Sequence, residues 1–332
     1  RKLGDPDKRP DVLLTTYGTL RRDSEQLSKL SWRVMVMDEA QAVKNTGTGA
    51  YAAASSFPAD RVIAMTGTPV ENRLMEYWSI FSIVQPGLLG TASDFRENFS
   101  VPIENEHDPR AAEAFRKLVA PFMLRRMKTD KAIISDLPDC IVQDVMTTLL
   151  PEQAYLYQET LTRNLDAISR AEANSRDKQV KRRALVLKLI TELKQICNSP
   201  SQYNKQWSET PDSAKAETLF ELLDECRENG RKVLVFTQYR EMGELLQGWI
   251  AKKTGRKPEF LHGGVSVARR AVMVDDFQNN PDSHILLVSL KAGGTGLNLT
   301  AASVVIHYDL WWNPAVESQA SDRAWRIGQQ RD

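Results

Sequence analysis

The chain has 332 residues, 42% of them hydrophobic and 26% charged, which suits a globular protein of two domains and excludes a disordered or fibrous one. With 44 Lys and Arg against 43 Asp and Glu, the formal net charge is +1, so any polyanion must be met by a local patch and not by the whole surface. Cys140, Cys197 and Cys226 lie too far apart for metal-ligand spacing or a disulfide framework; no apolar run nears the ~18 residues of a membrane span, and no signal-peptide pattern is present. The chain opens at Arg1 on the polar stretch RKLGDPDKRPD and reads as part of something longer.

Three short apolar runs, Val12–Leu14, Val34–Met37 and Val62–Met65, are expected as strands buried on both faces, which is the signature of a parallel sheet covered by helices. Each ends in small or polar residues (TTYGT, DEAQ and TGTP), and in such sheets ligands bind beyond the carboxyl ends of the strands. Helical insertions are expected around 75–130 and 150–210, and Val142–Leu149 is compatible with one more strand. After Pro151 the pattern is helical and charged: residues 161–194 carry nine Lys or Arg against four Asp or Glu, densest around Lys181, Arg182 and Arg183. That stretch is read equally as a solvated helix face and as a phosphate-contacting one. A helix over Ala214–Glu228 stops at Asn229-Gly230. Beyond it the strands Val233–Phe236, Phe260–Leu261, Ile285–Val288 and Val304–Ile306 alternate with helices at Glu241–Lys253 and Val267–Phe277, a second parallel α/β unit. The expected division is 1–135, 136–212 and 213–332, with no repeat at a short fixed period.

Asp38-Glu39 delivers two carboxylates at the end of an apolar strand. In a nucleotide hydrolase one such acid holds Mg²⁺ and the other handles the attacking water; taken alone, the pair fits a helix N-terminus as well. Thr66, Gly67 and Thr68 make a tight hydroxyl-bearing turn after the next strand. Gly293-Gly294-Thr295-Gly296 offers backbone N–H groups that no Cβ shields from a phosphate, although turns use glycine in any case. In QASDRAWRIGQ, Arg323 and Arg326 are spaced i, i+3, so they are expected on one helix face, as fingers on a triphosphate or as members of a surface ion-pair network.

As an ordered set these segments resemble the superfamily-two helicase motifs of the Swi/Snf family of DNA-dependent ATPases, of bacterial type. The set comprises TTYGTL (15–20), DEAQ (38–41), MTGTPVENRL (65–74), LRRMKTDKAIISDLP (124–138), VLVFTQYREM (233–242), LHGGVSVARR (261–270), SLKAGGTGLNLTAA (289–302) and QASDRAWRIGQ (319–329), and it covers nearly the whole chain. The resemblance implies an α/β fold of two RecA-like, doubly wound lobes with helical insertions. It implies ATP and Mg²⁺ as cofactors, with Asp38 and Glu39 as the magnesium and water-activating acids and Arg323 and Arg326 as arginine fingers. Gln41, Thr66, Gly67, Thr68, Gly294, Gly296 and Gln319 would bind or couple to ATP. Thr16, Tyr17, Ser289, Lys291 and Trp312 match positions that face DNA, with Lys181, Arg182 and Arg183 added as the basic patch; Trp311, beside Trp312, is read as a core residue.

The implied partner is double-stranded DNA, with a protein carried on DNA as a further substrate class and no membrane, in the bacterial cytoplasm or nucleoid, or in the nucleus of a eukaryote. Residue 41 is Gln where many relatives have His, and residue 325 is Trp where eukaryotic remodellers have His. No GKT or GKS occurs; in the family that phosphate cradle precedes the TTYGTL motif, so these residues alone are expected to turn over little ATP. A strand-separating helicase and a non-enzymatic DNA- or protein-binding module are the rival readings. The preserved acids and arginines weigh against the second.

Overall fold

The computed structural model describes residues 10–67, 73–128, 130–132, 134, 137–170, 176–290, 292 and 296–329. The chain separates into two compact units, Arg1–Arg126 and Met127–Asp332.

In the first unit, Thr16 is extended and its Oγ1 accepts from the Thr19 N–H at 3.1 Å, starting helix α1 (Tyr17–Arg22); α2 (Ser24–Leu27) follows directly. Strand β1 (Trp32–Met37) crosses through α3 (Gly49–Ser55), which Thr48 caps, to the parallel strand β2 (Ala59–Ala64), with Val34 opposite Arg61 and Val36 opposite Ile63. Met35 and Met37 point into a core with Leu20, Leu27, Ala53, Ile80 and Ile83, whereas Val34 and Val36 on the other face are 47% and 55% exposed. The sheet of the described residues is therefore covered on one side only. The expected strand at 12–14 is not formed: Leu13 packs on this core, but Val12 and Leu14 are exposed, and the segment joins no ladder because β1 pairs only with β2.

Helix α4 (Met75–Val84) is apolar nearly all round because it serves two cores. Ile80 and Ile83 face the sheet, while Tyr77 and Phe81 stack at 5.0 Å and enter an aromatic cluster with Phe95, Phe115 and Val119. That cluster ties together α5 (Ala92–Phe95), α6 (Val101–Glu104) and α7 (Pro109–Val119), the first helical insertion.

The described residues that open the second unit, up to Leu150, form no helix or strand. The expected strand at 142–149 is absent, and Ile141, Val142 and Met146 are exposed with no ladder to join. Two long helices, α8 (Pro151–Arg170) and α9 (Arg176–Asn198), pack against each other and lead through α10 (Pro200–Asn204) to α11 (Ala214–Glu228). Gly230, with φ 62°, supplies the left-handed stop after α11 that the Asn-Gly pair predicts. Next come β3 (Lys232–Thr237), α12 (Arg240–Thr254), β4 (Glu259–Leu261), α13 (Val267–Asn279), β5 (Ile285–Ser289), β6 (Ala302–His307) and α14 (Pro314–Ser321).

The four strands are parallel in the order β4-β5-β3-β6. Alternation along β3 divides its side chains between two cores: Val233 and Val235 pack with Leu219, Leu246 and Trp249 of α11 and α12, and Leu234 and Phe236 pack with Met273 and Phe277 of α13. Helices on both faces make this a doubly wound unit. Gly243 is the closest contact in it, since a methyl group there would run into the Phe260 ring. Among the described residues no helix is long and apolar enough to cross a membrane.

Candidate functional site

Because β1 and β2 are parallel, their carboxyl ends lie side by side. The Met65 N–H donates to Met37 O at 2.8 Å, and the Ala40 N–H returns to Met65 O at 3.0 Å. Between these bonds the chain turns sharply. Glu39 takes φ 48° and ψ 52°, the left-handed region that non-glycine residues seldom enter, and the buried Ala40 and Val43 anchor the 3₁₀ turn that follows. The Glu39 N–H donates to Asp38 Oδ1 at 3.0 Å. Gln41 joins both neighbouring turns: its Nε2 donates to Glu39 Oε2 at 2.6 Å, and its Oε1 accepts the Thr66 hydroxyl at 2.6 Å. A carboxamide can donate and accept at once without a charge. Gly67 follows with open space around its Cα, and Thr68 lies outside the described residues.

Asp38 is exposed at the mouth of this turn. No group of three or more His, Cys, Asp or Glu side chains forms a metal cage among the described residues. Mg²⁺ needs none, since it binds through one or two carboxylates, waters and substrate phosphates, so the oxygen donors of Asp38 and Glu39 fit it.

Tyr17 and Thr16 sit differently from a pair turned outward. The Thr16 hydroxyl is committed to capping α1. The half-buried Tyr17 hydroxyl donates to Asp38 O at 2.8 Å, and burial, helped by the charges of Asp38 and Glu39, pushes its pKa up to about 12. This link was not read from the sequence; the two residues are 21 positions apart, with the rest of α1, then α2 and β1, between them.

In the second unit α14 ends at Ser321, so Arg323 and Arg326 do not share a helix face as expected. The chain continues in tight turns, Ala324 N to Ser321 O at 3.0 Å and Arg326 N to Ala324 O at 3.0 Å, instead of a ladder of i to i−4 bonds. The two arginines consequently meet different surroundings: Arg323 is 6% exposed, while Arg326 is exposed and its Nη1 reaches Leu297 O at 3.4 Å. The turn is tied down from several directions. Leu299 N donates to Arg323 O at 2.9 Å, and the Gln329 amide donates to Ala302 O at 2.7 Å. Trp325 Nε1 donates to Pro138 O at 2.8 Å, and Lys128 Nζ donates to Trp325 O at 2.8 Å.

Gln319 is half-buried on α14, Gly296 takes φ 55°, and Ser289 is buried at the end of β5. Lys291 and Gly294 lie outside the described residues. Lys181, Arg182 and Arg183 are exposed on α9. Trp311 packs on the α13 side of the sheet, as read from the sequence, whereas Trp312 is 63% exposed. Lys194 of α9 holds that loop, donating to Leu310 O at 2.6 Å with its ammonium 4.6 Å from the Trp312 ring. Asp309, also unassigned from sequence, is buried at the end of β6 and accepts from the Thr237 hydroxyl, Gln238 N at 2.7 Å and Asn198 Nδ2 at 3.2 Å, with burial pushing its carboxyl pKa up. A charged residue directly after an apolar strand was the available signal.

Comparison with known proteins assigns the class. The SNF2-related domain matches residues 6–202 and the helicase conserved C-terminal domain matches residues 214–328, so the chain belongs to the SNF2-related family. It is 40% identical over 324 residues to YwqA of Bacillus subtilis (strain 168), whose name describes an ATP-dependent helicase/translocase, covering 97% of this chain and 34% of that protein. It is 37% identical over 333 residues to the Zorya protein ZorD of Escherichia coli O139:H28 (strain E24377A / ETEC), covering 97% of this chain and 30% of that one. The chain thus spans about a third of the length of the curated relatives it matches. Among solved structures it resembles the Sulfolobus solfataricus SWI2/SNF2 ATPase core in complex with dsDNA, at 38% identity and a TM-score of 0.51, covering 98% of this chain and 67% of that one. The fold is accordingly that of two RecA-like lobes.

Proposed function

We propose that the full-length protein is an ATP-driven translocase on duplex DNA, and that this chain supplies most of its motor. The observation that carries the reading is the acid turn. Asp38 stands exposed at the carboxyl end of a parallel strand, and Glu39 is fixed through Gln41 to the hydroxyl turn of the next strand. A module that only binds DNA needs no such arrangement, whereas a nucleotide hydrolase needs one acid for a magnesium ion and a second, oriented one for water. When bound, Mg²⁺ supplies charge compensation for the phosphates. The protein's own work is positional: Gln41 directs the Glu39 carboxylate, and the Glu39 backbone is held by the Ala40 and Met65 hydrogen bonds.

Arg323 and Arg326 are read as the arginine fingers that meet charge growing on the transferred phosphoryl group. They belong to the second unit and the acids to the first. Trp312 and the exposed Lys181, Arg182 and Arg183 are read as duplex contacts, with the dsDNA complex of the Sulfolobus solfataricus ATPase core as support. The test is ATP turnover by full-length protein with and without duplex, together with displacement of a triplex-forming strand. DNA-stimulated turnover with displacement, both lost in Glu39→Gln, is the expected result. Strand separation of a forked duplex without triplex displacement would favour a helicase, and DNA binding without turnover would favour a binding module.

A further inference from the structure

We propose that Lys128 is a positioning residue that fixes the turn carrying Arg323 and Arg326. Its ammonium donates to Trp325 O at 2.8 Å, pairs with Asp322 Oδ1 at 2.8 Å and lies 5.5 Å from the Trp325 ring centroid. Asp322 immediately precedes Arg323 and Trp325 immediately precedes Arg326, so one side chain grips the turn just ahead of each arginine. From the same stretch of chain, Pro138 O accepts the Trp325 indole N–H at 2.8 Å. Trp325 is thus held at its ring nitrogen by Pro138 and at its backbone carbonyl by Lys128.

These ties matter because the turn is not helical. Past Ser321 no regular ladder fixes where the arginines point. Lysine suits the task, having three donors on a flexible stem, two of them engaged here with the carbonyl and the carboxylate. Neither contact uses an arginine side chain, which leaves both guanidinium groups to their own partners. A finger supplies charge only where the transition state forms, and a displacement of about 1 Å in a catalytic group can cost on the order of 10²-fold in rate. Loosening the turn should therefore slow chemistry while leaving nucleotide binding nearly intact.

The inference rests on the arginine-finger reading, and the experiment separates the two. In full-length protein, Lys128→Met, Lys128→Arg, Arg326→Ala and the Lys128→Met/Arg326→Ala pair are compared for nucleotide affinity and for kcat at saturating duplex. Lys128→Met should lower kcat about ten-fold or more with affinity within about three-fold, and Lys128→Arg should recover most of the loss. In the Arg326→Ala background Lys128→Met should add no more than about two-fold, because the residue acts through the turn. Should Lys128→Met fail to fold, Asp322→Ala replaces it: the variant removes the carboxylate that Lys128 pairs with and keeps the bond to Trp325 O, and it should lower kcat several-fold in the same pattern. Normal turnover by Lys128→Met, or by Asp322→Ala where it stands in, beside a crippled Arg326→Ala overturns the positioning role alone. An equal loss in both backgrounds also overturns it, by placing the action of Lys128 elsewhere. Normal turnover by Arg323→Ala and Arg326→Ala removes the finger reading and the present inference with it.

Discussion

The two sheets carry closely similar apolar runs and use them differently. Val34–Met37 in the first unit and Val233–Phe236 in the second are both four-residue hydrophobic runs within six-residue strands. In the second, alternate residues enter two cores and β3 lies between β5 and β6. In the first, alternate residues divide between one core and solvent. Their polar ends differ in the opposite sense. Asp309, after β6, is buried with its carboxylate satisfied by three donors, which makes it a clamp joining β3, β6 and the end of α9. Asp38, after β1, is exposed. One strand-end acid is thus tied into the protein by three donors, while the other, bonded through Oδ1 to the Glu39 N–H, stands open to solvent.

The sharpest way to break this comparison is to remove the exposed chemistry. Glu39→Gln and Arg326→Ala in full-length protein should each lower ATP turnover by on the order of 10³-fold, with nucleotide affinity little changed, as steady-state hydrolysis and fluorescent-nucleotide titration would show. The contrast in covering should appear in denaturant melts. Leu234→Ala empties a fully buried site and should cost about 2–5 kcal/mol; Val36→Ala, on the open face, should cost under about 1 kcal/mol. Equal losses would mean that the open face is covered in solution. Replacing Lys181, Arg182 and Arg183 together by Ala should weaken duplex binding by about ten-fold near 0.15 M salt and flatten its salt slope, without sequence preference. An unchanged slope would make that face of α9 a solvated one.

The smallest expected effect is one of pH. The Tyr17 hydroxyl has its pKa pushed from 10.0 to about 12 in the folded chain. From pH 10 to 12 the unfolded phenol loses its proton while the folded one keeps it, so this contribution to stability is full below 10 and is lost as pH rises through 12. Tyr17→Phe should therefore flatten the alkaline fall of the first unit's melting transition. Tyr239, likewise raised to about 12, should leave its own separate imprint on the second unit.

Much of this was legible in the sequence, and for identifiable reasons. Every strand expected beyond residue 213 is present, and the helix over Ala214–Glu228 has the bounds its Asn-Gly stop implied, because there local propensity and tertiary burial agree. Val12–Leu14 and Val142–Leu149 failed because an apolar run records a preference for burial and a ladder needs a neighbour. Glu39 and Thr66 came together through Gln41, as the parallel crossover required. The arginine helix did not form, since i, i+3 spacing is informative only where the helix continues, and here it stops at Ser321. Links such as Tyr17 to Asp38, Lys128 to Trp325 and Lys194 to Leu310 span long separations and leave no local pattern to read.

The left-handed backbone at Glu39 makes that residue a site of conflict between durability and activity. A non-glycine residue at φ 48° carries on the order of 1 kcal/mol of conformational cost, which glycine would relieve. Random drift toward a sturdier protein should thus favour Glu39→Gly, the very change that deletes the oriented carboxylate. Glu39→Gln gains no such relief, so a stabilised but silent Glu39→Gly beside an equally silent and unstabilised Glu39→Gln would mark position 39 as one where selection for turnover, and not for folding, keeps the glutamate.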